Sequence, residues 1–449
     1  MSRTRVFLSI LYFILFISTL SIFRIEGYYH NSGVMLSFLI ILLLSFTLMY
    51  FGDPYPFSLN KMFMLFSIFF FGISPYVQYK YGVSLWGGTG FTSDDYIKQN
   101  GIIIIIILTY YFLYILNSKI DFTRRKLKKE NYKTYTKKTL EYSSLFLLIV
   151  AVCASIIIVD FNNYEWKNLF MRTNLAESED VSKPLTLIIT KFIYPIPIIC
   201  LIFFKLYIDK NKFIEILLIT LVLLTNFPTA NARFYIAATY LPLLIVYFKT
   251  LRTSYMKLNH IVLAGFLIVF PFLHQFRRIS NINEIKFRLD FEMFTQGHFD
   301  TYQMFMRVTK YNIITMGDQL WTTLLFFVPR SMWDQKSVAS GAFVSDYLGL
   351  NYNNISMNYF GEGYINFGFL GILTFIIFLA IINARLDKHF WSNHYRNWSL
   401  VKVFYLFLLG LQFFILRGSL LSAFAYTIGI FSSICFIYLL LNLFGKRVS

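Results

Sequence analysis

The chain has 449 residues, of which 57% are hydrophobic and 14% charged, and its formal net charge is +18. Soluble domains carry about a quarter charged residues, and one soluble core of this size has no room for so much apolar surface. The composition excludes an ordinary soluble protein and indicates a polytopic membrane protein. Basic cytoplasmic loops then account for the positive net charge, and no nucleic-acid binding is expected. The expected partner is the lipid bilayer.

Twelve apolar runs are close to the length that a membrane-spanning helix requires. They occupy residues 6–23, 34–51, 62–79, 101–118, 141–159, 185–204, 213–227, 232–248, 260–275, 366–383, 400–416 and 419–442. In lipid a helix satisfies its own backbone hydrogen bonds, so each run is expected to be helical. The sequence predicts an all-α fold with about twelve transmembrane helices in a single domain, residues 1–449. No small-residue cleavage site follows the first run, so it is expected to be a retained helix rather than a signal peptide.

The basic residues predict the orientation of the helices. The strongest cluster lies in the loop 119–140, which is therefore expected to be cytoplasmic. With twelve spans both termini are cytoplasmic too, which agrees with their own lysine and arginine residues. The longest loop, residues 276–365, is then external. Its aromatic and aliphatic content predicts a folded unit that carries function.

Several arginines lie near membrane depth on the predicted external side, against the usual charge bias. Arg233 begins the eighth run, Arg277 and Arg278 follow the ninth run just after His274, and Arg330 lies in the long loop. A guanidinium grips phosphate oxygens through two parallel hydrogen bonds, so converging arginines suit a lipid-linked diphosphate. The alternative is that these side chains snorkel or pair with nearby acids.

Glu362 lies between two glycines immediately before the tenth run. A carboxylate at the membrane surface is partly desolvated, which suits it to act as a base. It would equally serve to neutralise one of the arginines or to stabilise a helix N-terminus. These three roles stay open at the level of the sequence.

The sequence contains neither a P-loop motif nor a zinc-protease HExxH motif. Membrane glycosyltransferases that need a metal often carry an acidic pair in the first external loop, where this chain has only Glu26. The pairs Asp94–Asp95 and Glu179–Asp180 lie in later loops. The three cysteines are scattered through apolar runs without the spacing of a disulfide framework or a zinc site. We therefore expect no metal and no cofactor.

Three segments resemble the oligosaccharide repeat-unit polymerases, also called Wzy-type O-antigen polymerases. They are Val328–Trp333 (VPRSMW) with Lys336, Gly361–Gly368 (GEGYINFG), and Ala230–Arg233 (ANAR) at the start of a helix. The similarity is most specific over residues 320–371, and elsewhere it is one of topology: many transmembrane helices and a large external loop late in the chain.

The resemblance implies a membrane-embedded glycosyltransferase of the GT-C type in the bacterial inner membrane. A growing glycan would move from undecaprenyl diphosphate to the next lipid-linked repeat unit, with arginines in place of a metal. A flippase and a chain-length regulator would be partners. The expected catalytic residues are Arg233, Arg330 and Glu362, and the expected substrate-binding residues are Arg277, Arg278, His274, Trp333 and Tyr364.

Other functions remain open at this stage. A flippase or other transporter also suits twelve helices, although one outsized loop and unequal segment lengths argue against internal repeats. A glycan ligase or a glycosyltransferase with single-sugar lipid donors shares the arginine chemistry. An O-acetyltransferase is expected to carry a histidine or acidic motif on a cytoplasmic-side helix, which is not evident. The sugars, the linkage and the oligomeric state do not follow from the sequence.

Overall fold

The apolar runs of the chain fold into helices. The computed structural model describes residues 3–119, 137–171, 184–208, 211–269, 291–392 and 399–444, and all regular secondary structure within these ranges is helical. In chain order the α-helical elements are α1 (Arg3–Leu20), α2 (Ser32–Phe51), α3 (Leu59–Tyr81), α4 (Ser93–Lys119), α5 (Lys137–Phe161), α6 (Trp166–Phe170), α7 (Leu185–Tyr207), α8 (Lys212–Thr225), α9 (Arg233–Tyr247), α10 (Lys249–Thr253), α11 (Lys257–Ala264), α12 (Thr301–Lys310), α13 (Asp318–Leu324), α14 (Ser340–Leu348), α15 (Tyr359–Ser392), α16 (Leu400–Arg417) and α17 (Leu420–Phe444).

Eight of these helices are long and apolar enough to cross a membrane: α2, α3, α4, α5, α7, α15, α16 and α17. The predicted class, an all-α polytopic membrane protein, is therefore confirmed. The helices α1, α8, α9 and α11 overlap the four remaining apolar runs, and α8, α9 and α11 are shorter than the eight. The basic loop 119–140 lies mostly outside the described residues, and the long loop 276–365 is described from residue 291 onward.

Helix α3 forms the centre of the bundle. Residues 57–80 are all buried, although helices of a bundle usually leave one side exposed to lipid or water. It packs against α2, α11, α15 and α16. Such a helix needs apolar side chains around its whole circumference, which the run of phenylalanines from Phe69 to Phe71 provides.

Helix α15 doubles back on itself near its beginning. Phe367 (φ −145°, ψ 26°) and Gly368 (φ 61°, ψ −144°) leave helical geometry and separate segment 359–366 from segment 369–392. The ring of Tyr359 contacts the ring of Phe375 with centroids 4.9 Å apart, and Gly363 faces Gly371. Both pairs lie symmetrically about residue 367, so the two segments run antiparallel. The short segment is thereby held against the beginning of the long one.

Residues 291–366 fold into a layer of short helices at one end of the bundle, which we call the cap. Gln303 and Arg307 attach it to the loop after α3. The Gln303 side chain accepts a hydrogen bond from the Leu85 N–H (2.9 Å), and Arg307 Nη2 donates to the carbonyl oxygens of Leu85 (2.8 Å) and Gly87 (2.7 Å). Arg307 is only 2% exposed, so its guanidinium is used to attach the cap and is not accessible to a ligand.

A buried carboxylate joins the helices at the opposite end. Asp387 accepts hydrogen bonds from the backbone N–H groups of Leu59 (2.8 Å) and Asn60 (3.3 Å). It also accepts them from the hydroxyls of Tyr114 (2.9 Å) and Tyr405 (2.6 Å). Four donors compensate for the loss of water around the carboxylate. Asp387 thus connects α15 with α3, α4 and α16, a role that the sequence did not indicate.

The close approach of the two segments of α15 predicts that alanine at Gly371 is destabilising. Its Cβ would overlap the carbonyl oxygen of Gly363. We expect Gly371→Ala to lower the free energy of unfolding by about 1–3 kcal/mol and to lower the midpoint of thermal unfolding in detergent. Gly101→Ala in α4 is the matched control, because the space around Gly101 is open. Equal midpoints for the two variants would contradict the antiparallel arrangement.

Candidate functional site

Three segments that are distant in sequence meet at the first two turns of α17. The Leu420 N–H donates to Oε1 of Glu362 (2.8 Å). The Phe424 ring contacts the Phe326 ring edge to face, with centroids 6.0 Å apart. The Tyr426 ring contacts the ring of Phe234, which follows Arg233, at 5.1 Å. The segments that carry the predicted catalytic residues therefore border one helix end, which we call the α17 junction.

Glu362 is held rigidly at this junction and is 1% exposed. Its Oε2 accepts a hydrogen bond from the hydroxyl of Ser340, the first residue of α14 (2.6 Å), while its Oε1 accepts the Leu420 N–H. A carboxylate at the start of a helix satisfies an otherwise unpaired N–H and interacts favourably with the helix dipole. Glu362 therefore joins α14, α15 and α17. Of the three roles that the sequence left open, stabilising a helix N-terminus is the one seen, although the helix is α17 rather than α15.

A second chain of hydrogen bonds leads from Ser340 to the loop 325–339. The Ser340 oxygen lies 3.2 Å from Oε1 of Gln319, and Nε2 of Gln319 donates to the Ser337 hydroxyl (2.6 Å). The Ser337 N–H in turn donates to the Thr322 hydroxyl (3.2 Å). The position of this loop is thus coupled to that of Glu362 through side chains that are mostly buried.

Lys336 folds the loop 325–339 around its ammonium group. It donates to the carbonyl oxygens of Leu325 (3.2 Å), Phe326 (2.8 Å) and Val328 (2.7 Å), one for each N–H of the ammonium. Burial lowers the pKa of Lys336, and the neighbouring Arg330 charge lowers it further. Lys336, one of the residues that resemble the polymerase family, therefore fixes the shape of the loop that carries Arg330.

Arg330 is exposed and donates through Nη1 to the carbonyl oxygen of Lys336 (2.6 Å) and through Nη2 to that of Ser337 (3.1 Å). These bonds orient the guanidinium, and within the described part of the chain it has no acidic partner within 4.0 Å. An oriented, exposed guanidinium without a counter-ion is suited to binding an anion.

The remaining predicted residues differ in how they are placed. Arg233 is the first residue of α9, but its side chain lies outside the described part of the structure, and so do His274, Arg277 and Arg278. Trp333 is half-buried in the loop 325–339. Tyr364 is 3% exposed and donates its hydroxyl hydrogen bond to Oδ1 of Asn312 (2.8 Å). Its ring is part of the cap interior and offers no open face to a sugar.

Lys191, which is not among the residues predicted above, also lies at the α17 junction. Its ammonium lies 3.5 Å from the centroid of the Tyr426 ring. The available signal was a single charge inside the apolar run 185–204, which is rare in a membrane-spanning segment. Lysine lacks the planar fork with which arginine binds phosphate bidentately, so a search for bidentate phosphate ligands passes over it.

The acidic pairs considered as metal ligands are described only in part. Among the described residues, no group of three or more histidine, cysteine, aspartate or glutamate side chains lies close enough together to hold an ion. Asp95 pairs with Lys310 at 2.8 Å, and Glu179 and Asp180 fall outside the described residues. Asp95, one of the acids considered as a metal ligand, is thus already paired with a lysine.

The hydrogen bonds of Glu362 predict different effects for its two simplest substitutions. Glu362→Gln retains an acceptor for Leu420 N–H and a polar partner for Ser340, so we expect a thermal midpoint near that of the wild type. Glu362→Ala leaves the partly buried Leu420 N–H and the buried Ser340 hydroxyl without this acceptor, which costs about 1–3 kcal/mol. Asp346→Ala, an exposed acid of the same cap, is the control and should change little. If Glu362→Ala unfolds at the wild-type temperature, Glu362 does not support the junction.

Comparisons of the chain with family models, with curated proteins and with solved structures found no match. What the α17 junction does is therefore inferred from its own residues and contacts.

Proposed function

We propose that this protein is a polysaccharide repeat-unit polymerase, a metal-independent glycosyltransferase that acts on undecaprenyl-diphosphate-linked glycans. The observation that carries the proposal is the convergence at the α17 junction. Glu362, the loop of Arg330 and the first turn of α9, which begins with Arg233, contact residues 420–426 of one helix. These are the same segments that resemble the repeat-unit polymerases in sequence.

The proposed reaction is a substitution at the anomeric carbon of the growing glycan. A hydroxyl oxygen of the incoming repeat unit forms the new C–O bond, and the bond between the anomeric carbon and the diphosphate oxygen breaks. Undecaprenyl diphosphate leaves with the electron pair of that bond. Arg330 and Arg233 would neutralise the charge that develops on the diphosphate, which is the task that a metal performs in other enzymes.

Glu362 is the candidate acceptor of the hydroxyl proton. Both of its oxygens already accept hydrogen bonds, from Leu420 and from Ser340. Oε2 becomes available when the Ser340 hydroxyl turns toward Gln319 Oε1, which lies 3.2 Å from it. A rotation of the Ser340 side chain would therefore free the Glu362 carboxylate to act as a base.

We also propose twelve spans with both termini in the cytoplasm and the cap outside the inner membrane. Contacts between distant loops support an even alternation, because the Met256 N–H donates to the Pro56 oxygen (3.0 Å) and Trp391 Nε1 donates to the Phe57 oxygen (3.0 Å). Reporter fusions test the arrangement. A fusion after Ser337 should report an external location and one after Tyr55 a cytoplasmic one. Reporters on the same side would contradict it.

Deletion of the gene tests the function itself. Surface glycans should be left with a single repeat unit, because transfer of one unit to the final acceptor survives while extension stops. A transporter would give a different result, since its loss leaves no repeat unit on the surface. Complete absence of external repeat units would therefore replace the polymerase proposal with a flippase.

Variants in the deletion strain test the arginine mechanism. Arg330→Ala and Arg233→Ala should each reduce extension by about 10²–10³-fold, since a charge-assisted contact in a desolvated site is lost. Arg330→Lys should restore it only in part, because lysine lacks the planar fork. Arg385→Ala, an exposed arginine at the far end of α15, is the control. A normal glycan ladder from both alanine variants, at normal protein abundance, would contradict the mechanism.

A further inference from the structure

Lys191 lies near the level at which the neighbouring helices end. Three residues further along α7, Tyr194 accepts hydrogen bonds from the side chains of Asn162, just after α5 (2.7 Å), and Asn226, just after α8 (3.2 Å). Apolar helices end where the hydrocarbon layer gives way to lipid headgroups. We therefore expect the ammonium of Lys191 to lie close to the depth of lipid phosphates, at the same end of the bundle as the cap.

Local geometry fixes Lys191 against α17. It lies in a π-helical turn, Ile188–Ile193, and such turns often occur at functional sites. The Ser433 hydroxyl donates to the Phe192 carbonyl oxygen (2.7 Å). Gly429 lets α17 come close, because a Cβ there would overlap the Lys191 carbonyl oxygen. The backbone of Lys191 is therefore held tightly while its side chain remains partly exposed.

The charge of Lys191 is balanced differently from that of other lysines in the bundle. Lys205, on the same helix, pairs with Glu215 at 3.1 Å, and Lys61 pairs with Asp53. Within the described ranges no acid lies within 4.0 Å of the Lys191 ammonium. Its one described partner is the face of Tyr426, whose ring attracts a cation without neutralising it.

The same aromatic ring adjoins the helix that begins with Arg233. The rings of Phe234 and Tyr235 lie 5.1 Å and 6.0 Å from that of Tyr426, measured between centroids. One tyrosine ring therefore contacts both Lys191 and the first turn of α9. An anion bound at Lys191 would lie close to the beginning of that helix.

We propose that Lys191 is a binding residue for the diphosphate of the lipid-linked glycan, with Tyr426 holding the lysine in place from the opposite side. An anionic headgroup on a polyisoprenyl tail enters from the membrane, and its phosphate oxygens accept hydrogen bonds from the ammonium group. The assignment rests on the proposed function, since it names a further residue for the same substrate. It differs from the assignment of Arg233 because the position of the Lys191 side chain is known.

Binding to the purified full-length protein tests this directly. The protein is placed in nanodiscs of phosphatidylcholine, undecaprenyl diphosphate is titrated, and occupancy is read by native mass spectrometry. We expect Lys191→Met to weaken binding about 10- to 100-fold, as loss of a hydrogen bond to a charged group does. Binding of undecaprenol, which has the tail but no diphosphate, should not change. Wild-type affinity for the diphosphate in Lys191→Met would overturn the proposal.

Matched variants separate the local contact from general electrostatics and from misfolding. Lys167→Met removes an exposed lysine near the same end and should bind as the wild type does. Lys191→Arg should retain binding, because it keeps the charge. Tyr426→Phe should retain it and Tyr426→Leu should weaken it, because only leucine removes the aromatic face. This pair decides the question even if Lys191→Met does not fold, and equal binding by Tyr426→Phe and Tyr426→Leu would count against the site.

Two further comparisons show whether the site binds the lipid-linked diphosphate or any anionic lipid, and whether a negative result concerns Lys191 alone or the proposed polymerase function. If phosphatidylglycerol in the nanodisc abolishes binding of undecaprenyl diphosphate, the site is one for general anionic lipids and the proposal falls. If Lys191→Met binds normally while the deletion strain still shows single repeat units, this inference fails and the polymerase function stands. A deletion strain with normal glycan chains would remove the function itself.

Discussion

One buried carboxylate, that of Glu362, determines how the cap meets the transmembrane bundle. A helix that begins inside a low-dielectric environment has N–H groups without partners, and each costs free energy unless an acceptor is supplied. Glu362 supplies the acceptor for α17 and at the same time binds Ser340 of α14. The antiparallel turn within α15 brings Glu362 to this position. The cap, α15 and α17 therefore form one connected unit.

The cations at this end of the bundle fall into two groups according to whether they are free to bind a ligand. Arg307 is buried and Lys336 uses all three of its N–H donors on backbone carbonyl oxygens, so both organise loops. Arg330 is exposed and Lys191 is partly exposed against an aromatic ring, so both can still reach an anion. A protein that binds a diphosphate needs cations of the second kind, and loops folded by cations of the first kind keep them in position.

Many features of the fold were predictable because the bilayer is a severe constraint. Every described apolar run is helical, as hydrogen bonding in lipid requires, and the all-α class follows from composition alone. The arginines and Glu362 stand out in the sequence by their unusual location alone, and their functional roles stay predictions. The sequence was uninformative where a residue acts through a distant partner. Lys191 looks like an isolated charge until Tyr426 is beside it, and nothing local indicates that Tyr364 is buried with its hydroxyl bonded to Asn312.

The sequence by itself determined the membrane environment, the approximate positions of the helices and the segments that carry unusual charge, because these depend on local hydrophobicity and on residue type. Only the tertiary structure decided which of those segments meet. The reversal of α15 requires non-helical backbone angles at only two residues, Phe367 and Gly368. It turns segment 359–366 antiparallel to segment 369–392. Contacts between residues hundreds of positions apart, such as Lys191 with Tyr426, depend on how helices pack side by side, and local sequence carries little information about that.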